Sequence, residues 1–180
     1  MIFDDFEIID HKEETVARFR IVTEMIKRKS ITYPYSYVDM KGGVVILPII
    51  GENIFAIRQY RPTINAWSLE LPAGGIEIGE TPEDAVKREL IEETGCIAKS
   101  ILPLGITYAS VGCTNEKVHL FAAICDESES KSGEETEIIR EEIMTISEFD
   151  RAVRSGALVC ATNELIWHRY KDRYGYESDQ

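Results

Sequence analysis

Between Leu71 and Cys96 the chain reads LPAGGIEIGETPEDAVKRELIEETGC, and this stretch decides the fold. Thr81 can cap a helix, and Pro82 suits the first helical position. Gly95 supplies a left-handed stop. The stretch therefore predicts a helix that begins after Thr81 and ends before Gly95.

Three carboxylates share one face of this predicted helix. At about 100° per residue, Glu89, Glu92 and Glu93 fall within an arc of about 100°. Like charges at these spacings destabilise a helix by roughly 0.2–0.5 kcal/mol per pair, which favours a bound cation over the face. Hard divalent cations such as Mg²⁺ take oxygen ligands of this kind. From the helix alone, a solvated acidic face relieved by Arg88 and Lys87 stays an alternative.

The glycines before the helix favour the metal site. Gly74 and Gly75 precede the helix and Gly79 lies in the intervening loop, so the backbone can fold tightly against the helix start. Such a loop can present carbonyl and N–H groups to a metal or a phosphate. A glycine-rich loop alone is weak evidence for a metal or phosphate site. A glycine-rich loop at this distance from an acidic helix is strong evidence for one.

The same stretch resembles the Nudix box, Gly-x5-Glu-x7-Arg-Glu-U-x-Glu-Glu-x-Gly-U, in which U is a bulky apolar residue. The matching positions are Gly74, Glu80, Arg88, Glu89, Leu90, Glu92, Glu93 and Gly95. Cys96 is smaller than the usual final residue, a departure that concerns packing rather than chemistry. The chain is thereby identified as a member of the Nudix hydrolase family, and the resemblance implies an α/β/α sandwich with a mixed β-sheet.

Segments outside the box are similar to the ADP-ribose pyrophosphatase branch of that family. They are Gln59-Tyr60-Arg61, Glu70-Leu71-Pro72-Ala73-Gly74 and Glu135-Thr136-Glu137-Ile138-Ile139-Arg140. One departure bears on specificity, because Val111 stands where that branch carries a proline. The resemblance therefore implies the class of reaction more strongly than it implies the sugar or the base of the substrate.

The resemblance also implies a metal-ligand set for Mg²⁺, with Mn²⁺ as an alternative. Glu89 and Glu93 would be the principal ligands, and Glu92 would contribute directly or through water. The backbone carbonyl of Ala73 and the carboxylate of Glu137 would complete the set.

The resemblance also implies three catalytic residues, two of which are candidate bases and one of which is an arginine. Glu135 is the first choice for the base that removes a proton from the attacking water, and Glu92 is the second. For Glu135, a solvated loop glutamate is an equally weighted alternative. Arg88 would orient the glutamates rather than touch the substrate, and Glu80 would likewise be structural.

Four residues are implied as substrate-binding: Arg61, Glu70, Gly74 and Glu116. The planar guanidinium of Arg61 can bind two phosphate oxygens at once, although a surface ion pair is an alternative. Trp67, Tyr33 and Tyr35 could stack on adenine, but aromatic residues of this kind more often pack in the core.

The activity that follows is Mg²⁺-dependent hydrolysis of ADP-ribose to AMP and ribose 5-phosphate. The alternatives are a pyrophosphatase for a GDP-sugar, a dinucleoside polyphosphate or a nucleoside triphosphate, and an ADP-ribose sensor without hydrolysis. The complete set of box glutamates argues against the sensor.

The composition excludes some functions. A formal net charge of −12 over 180 residues argues against a nucleic-acid partner, because such binding depends on Lys and Arg. The longest apolar run, VVILPII from Val44 to Ile50, is too short to span a bilayer. Since the start of the chain also lacks the pattern of a signal peptide, we expect a cytoplasmic protein without a membrane partner.

The domain organisation predicted from the pattern is a strand-rich extension at 1–42 and a Nudix domain at 43–180. The stretch from Val16 to Ile26 fits either a helical stripe or strand alternation, and a hairpin with the next β-branched segment is favoured. Further strands are predicted at 44–50, 54–60, 68–71, 101–109, 117–125 and 138–146, and further helices at 147–156 and 162–170. The family resemblance implies a homodimer in which these N-terminal strands help to build the partner's site.

Overall fold

The computed structural model describes residues 5–126 and 139–175. The chain divides into two compact units. One unit contains the N-terminal residues up to Lys41 together with residues 108–117. The other contains residues 42–107 and continues from Val118.

The first unit is built on an antiparallel sheet of three described strands, β1 (Phe6–Val16), β2 (Phe19–Arg28) and β3 (Ile31–Asp39). Tight turns join them, with Ala17 and Lys29 in the left-handed region at φ 53° and 54°. The strand alternative for the N-terminal segment is therefore correct. β1 was not predicted, because every one of its residues is exposed and its residues 10–15 are all polar or charged.

The described residues of the second unit form seven strands and three helices. They are β4 (Gly43–Ile50), β5 (Asn53–Arg61), β6 (Ala66–Glu70), β7 (Ala73–Gly75), α1 (Pro82–Thr94), β8 (Ile97–Tyr108), β9 (Lys117–Asp126), β10 (Ile139–Thr145), α2 (Ile146–Arg154) and α3 (Ala161–Tyr174).

The sheet of this unit is mixed. Its main path runs β10-β5-β4-β9-β8, with β6 paired to β5 and β7 paired to β4. β4 and β9 are parallel, whereas β4 pairs with β5 and β7 in the antiparallel sense. The central strands β4 and β5 read as nearly continuous apolar runs because both of their faces are covered.

Helices cover both faces of the sheet. Val44 and Ile46 of β4 pack on one face with Val86 and Leu90 of α1. On the opposite face, alternate residues of β4 join a second core cluster that contains side chains from α2 and α3. This arrangement confirms the predicted α/β/α sandwich with a mixed sheet and an N-terminal strand extension. Cys96 is fully buried in the α1 cluster, so the small residue at the end of the box is accommodated by packing.

Most predicted elements of this unit are present with shifted ends. β8 begins at Ile97 rather than 101, and α3 continues to Tyr174 rather than 170. β7 was not predicted, since its sequence Ala-Gly-Gly has no strand propensity and forms a strand only by pairing with β4. The polar stretch at 126–137, predicted as an exposed loop, lies almost wholly outside the described residues. Among the described helices, none combines the length and the apolar character needed to cross a bilayer.

Candidate active site on helix α1

Local capping fixes where α1 begins and ends. The side chain of Thr81 accepts a hydrogen bond from the backbone N–H of Asp84, and Pro82 takes the first helical position. At the other end Gly95 adopts φ 69°, and its N–H donates to the carbonyl of Ile91. These caps set the register of the helix relative to the glycine loop, as the sequence predicted.

The acidic face of α1 is turned towards the protein rather than towards solvent. Glu89 and Glu93 are each only 8% exposed, whereas the side chain of Glu92 is 40% exposed. Burying carboxylates in this way is unfavourable unless hydrogen bonds or cations compensate for lost hydration. A solvated acidic face, the alternative that the helix alone left open, is therefore wrong for Glu89 and Glu93.

β7 packs against this face so closely that only glycine fits at one position. A Cβ atom built on Gly74 would lie 1.7 Å from Oε1 of Glu89, whereas one built on Gly75 would meet nothing within 4 Å. The backbone N–H of Ala73 donates to Oε2 of Glu93 at 3.1 Å. The glycine loop and the two buried glutamates therefore form one compact oxygen-rich site.

Arg88 lies at the centre of this site and binds three carboxylates. It donates to both oxygens of Glu80 at 3.0 Å, to Oε1 of Glu89 at 2.6 Å and to Oε2 of Glu92 at 3.1 Å. A further hydrogen bond, 2.8 Å long, reaches the carbonyl of Gly75. Its hydrogen bonds to Glu80 raise the pKa of Arg88 and lower the pKa of Glu80. These contacts support the orienting role of Arg88 and the structural role of Glu80.

Arg61, the predicted phosphate-binding residue, is held by Glu70. Its Nε donates to Oε1 of Glu70 at 2.8 Å and its Nη2 donates to Oε2 at 2.5 Å, so the ion pair is bidentate. The hydrogen bond to Glu70 raises the pKa of Arg61, and the negative charge of Glu93 adds to the shift. The guanidinium thus lies within electrostatic reach of the acidic helix face.

Trp67 points to the other face of the sheet from Arg61. It pairs with Tyr60 on β5, and the two rings make an edge-on contact with centroids 6.0 Å apart. The guanidinium of Arg140 covers the Trp67 ring at 4.4 Å from its centroid. Sequence reasoning did not identify this cation–π contact, since it depends on the pairing of β5 with both β6 and β10.

Three other predicted substrate-contacting residues belong to the first unit. Tyr33 and Tyr35 lie on β3, and the hydroxyl of Tyr35 donates to the carbonyl of Gly112 at 3.2 Å. Glu116 is half-buried, and burial raises the pKa of its carboxyl group. Val111, which replaces the expected proline, is 76% exposed.

The raised pKa of Glu116 predicts a pH-dependent penalty on stability. The fold disfavours the charged form of Glu116. Below about pH 4.5 the carboxyl group is protonated in both the folded and the unfolded state, and it carries no penalty. As the pH rises through the raised pKa, the group ionises in the folded protein and the free energy of unfolding falls. Glu116→Gln is therefore expected to melt at a higher temperature than the wild type at pH 7, with the difference disappearing below pH 4. Thermal melts from pH 3.5 to 8 measure this, with the exposed Glu52→Gln as the control. A lower melting temperature for Glu116→Gln at pH 7 would show that the charged form is stabilised instead.

Glu135 and Glu137 lie outside the described residues. The first choice for the catalytic base and the fifth proposed metal ligand therefore stay predictions. Of the predicted metal-ligand set, the structure brings together Ala73, Glu89, Glu92 and Glu93 beside Arg88.

The donor set suits a hard divalent cation. Its side-chain donors are carboxylates, two of them nearly buried, and Mg²⁺ prefers such oxygen ligands together with water. Within residues 5–126 and 139–175, no three acidic, cysteine or histidine side chains are arranged so that they could hold a metal ion by themselves.

The NUDIX domain model matches residues 40–159. The chain is 34% identical over 123 residues to the ADP-ribose pyrophosphatase of Bacillus subtilis (strain 168), an alignment covering 68% of this chain and 61% of the relative. It is 38% identical over 123 residues to that of Haemophilus influenzae (strain ATCC 51907 / DSM 11121 / KW20 / Rd), covering 67% of this chain and 55% of the relative. The chain thus spans somewhat more than half the length of these curated relatives.

A solved structure shares the fold. The crystal structure of an ADP compounds hydrolase superposes with a TM-score of 0.84 at 18% identity, covering 97% of this chain and 98% of that one. Together with the family match over residues 40–159, these findings show that the chain belongs to the NUDIX family.

Proposed function

We propose that this chain hydrolyses the pyrophosphate bond of a nucleoside diphosphate sugar, with ADP-ribose as the leading substrate and AMP and ribose 5-phosphate as the products. The observation that carries the proposal is the burial of Glu89 and Glu93 of α1 against Gly74 and Ala73 of β7. The names of the relatives support the ADP-sugar class, and the exposed Val111 leaves the sugar and base to be measured.

The metal-binding part of the proposal assigns Mg²⁺ to the carboxylates of Glu89, Glu92 and Glu93 and the carbonyl of Ala73, with Glu137 as a further ligand. Bound Mg²⁺ supplies charge stabilisation at the phosphate oxygens and lowers the pKa of a water. Arg88 keeps two of the glutamates in place through its hydrogen bonds, so little reorganisation is needed when an ion and a substrate arrive.

Arg61 is proposed to hold the diphosphate. Its two donors to Glu70 have the spacing that also suits two oxygens of a phosphate. On a protein with a net charge of −12, an anionic substrate needs such a local cation in addition to the metal.

The base that takes a proton from the attacking water is proposed to be Glu135, with Glu92 as the alternative. Glu92 is the most exposed of the three helix glutamates and so has access to solvent water. Glu135→Gln tests the assignment, since loss of the base lowers turnover steeply at neutral pH, whereas an unimpaired Glu135→Gln variant would move the role to Glu92.

A substrate panel tests the proposed function. ADP-ribose, GDP-mannose, diadenosine polyphosphates and nucleoside triphosphates are each incubated with the protein and Mg²⁺, and the products are separated by chromatography. AMP and ribose 5-phosphate from ADP-ribose are the expected result. Turnover of triphosphates alone would refute the ADP-sugar assignment, and tight binding of ADP-ribose without products would favour a sensor.

The N-terminal strands, within the segment 1–42, are proposed to form a homodimer. The exposed large apolar side chains of these strands support this, because packing against a second chain would remove their surface from water. They are Phe6, Ile8, Ile9, Val16, Phe19 and Ile31. Light scattering at assay concentrations is expected to give twice the mass of one chain, and a monomer throughout that range would contradict the proposal.

A further inference from the structure

Ser68 carries a buried hydroxyl that nothing described in the chain satisfies. The residue is 3% exposed, and its Oγ has no hydrogen-bond partner among the described residues. Buried hydroxyl groups nearly always have a partner, because hydration lost without compensation destabilises the fold. Ser68 lies on β6 immediately beside the predicted substrate-binding residues, so the missing partner points to a ligand.

The register of β5 and β6 places Ser68 on the same sheet face as the Arg61–Glu70 ion pair. Directly opposed residues of antiparallel strands point the same way, and so do residues two apart along a strand. The pairs on this face are Arg61 with Ala66, Gln59 with Ser68, and Ile57 with Glu70. Ser68 therefore occupies the row between Arg61 and Glu70.

The Arg61–Glu70 ion pair crosses the row of the sheet that contains Ser68. Arg61 and Glu70 are four residues apart along the paired strands, about 13 Å of strand length, yet their side chains meet at 2.5 and 2.8 Å. Each side chain must therefore extend along the sheet towards the other, and they meet above the row that contains Gln59 and Ser68. This explains how a serine near the edge of the sheet is almost completely buried.

The same ion pair can open towards an anion. The side chain of Arg61 is 44% exposed, whereas that of Glu70 is only 7% exposed, so the arginine is the partner that can move. A phosphate offers two oxygens to the guanidinium in the same planar geometry as a carboxylate and carries more charge. Moving Arg61 from Glu70 onto a phosphate would uncover Ser68.

We propose that Ser68 is a substrate-binding residue whose hydroxyl donates to a phosphate oxygen of the diphosphate once Arg61 has left Glu70. This inference rests on the proposed function, because it names a further residue at the same site. Glu70 then acts as the residue that holds Arg61 over Ser68 until the substrate arrives. Substrate binding replaces the ion pair of Arg61 with Glu70 by an ion pair of Arg61 with the phosphate. It also gives a hydrogen-bond partner to the hydroxyl of Ser68.

Kinetics of Ser68→Ala on whichever pyrophosphate substrate the wild type hydrolyses are the first test. We expect KM to rise about tenfold with kcat within twofold, since a hydrogen bond to a charged oxygen is lost. The exposed Ser100→Ala on β8 is the matched control and should keep wild-type constants. An unchanged KM for Ser68→Ala would overturn the inference while leaving the proposed function intact.

Thermal stability and pyrophosphate binding give readouts that do not need turnover. Removing an unpaired buried hydroxyl should leave the melting temperature of Ser68→Ala unchanged or raise it. A clear fall would show that the hydroxyl is bonded within the fold, for example to an internal water, and would overturn the inference. Calorimetric titration with inorganic pyrophosphate and Mg²⁺ should give binding about tenfold weaker for Ser68→Ala than for the wild type. Equal affinity of the two proteins for pyrophosphate, or no binding to the wild type, would also overturn the inference. This titration needs no turnover, so it remains decisive if the substrate panel refutes the proposed function.

Discussion

Glu93→Gln is expected to lower turnover of ADP-ribose by at least about a hundredfold while leaving the fold intact. Glutamine keeps an oxygen that can accept the 3.1 Å hydrogen bond from the N–H of Ala73, so β7 should stay docked against α1. What is lost is the negative charge at a position that is only 8% exposed and that the proposed function assigns to the metal ion. The effect should therefore appear in catalysis rather than in stability.

Initial rates over a range of Mg²⁺ concentrations measure the expected loss of turnover, and thermal melts measure the expected retention of stability. Glu83→Gln is the matched control, because Glu83 lies on the first turn of the same helix but is exposed. The control is expected to keep the wild-type rate. Wild-type turnover in Glu93→Gln would remove this residue from the metal-binding set.

Gly74→Ala is expected to lower turnover by about a hundredfold as well, through steric displacement of a neighbouring carboxylate. The new Cβ would lie 1.7 Å from Oε1 and 1.9 Å from Cδ of Glu89, so that side chain has to move. Because it is the far end of a flexible side chain, the fold can survive, but Glu89 leaves its position beside Arg88. A displacement of about 1 Å in a catalytic site can cost about a hundredfold in rate.

Gly75→Ala tests whether the effect is specific to that close approach. A Cβ at Gly75 meets nothing within 4 Å, and this residue lies next to Gly74 on the same strand. Its rate and melting temperature should stay close to those of the wild type. Equal losses in the two variants would show that β7 is sensitive to any side chain, and the steric explanation would then be wrong.

Where the determinants are local, the sequence was sufficient to predict the structure. The cap of Thr81, the stop at Gly95 and the spacing of Glu89 and Glu93 act within a few residues of one another, so α1 and its acidic face followed from the sequence alone. The apolar runs within β4, β5 and β9 likewise predicted strands of the sandwich. Membership of the family followed from the same short stretch.

Features that depend on pairing between distant segments are set by the tertiary structure and could not be predicted from the sequence. β7 is a strand because β4 lies beside it, and Gly74 is required because Glu89 occupies the space of a side chain. The ion pair between Arg61 and Glu70, and the buried hydroxyl of Ser68 between them, depend on the register of β5 with β6. No local propensity encodes that register, because it is set by which side chains the two strands bury together.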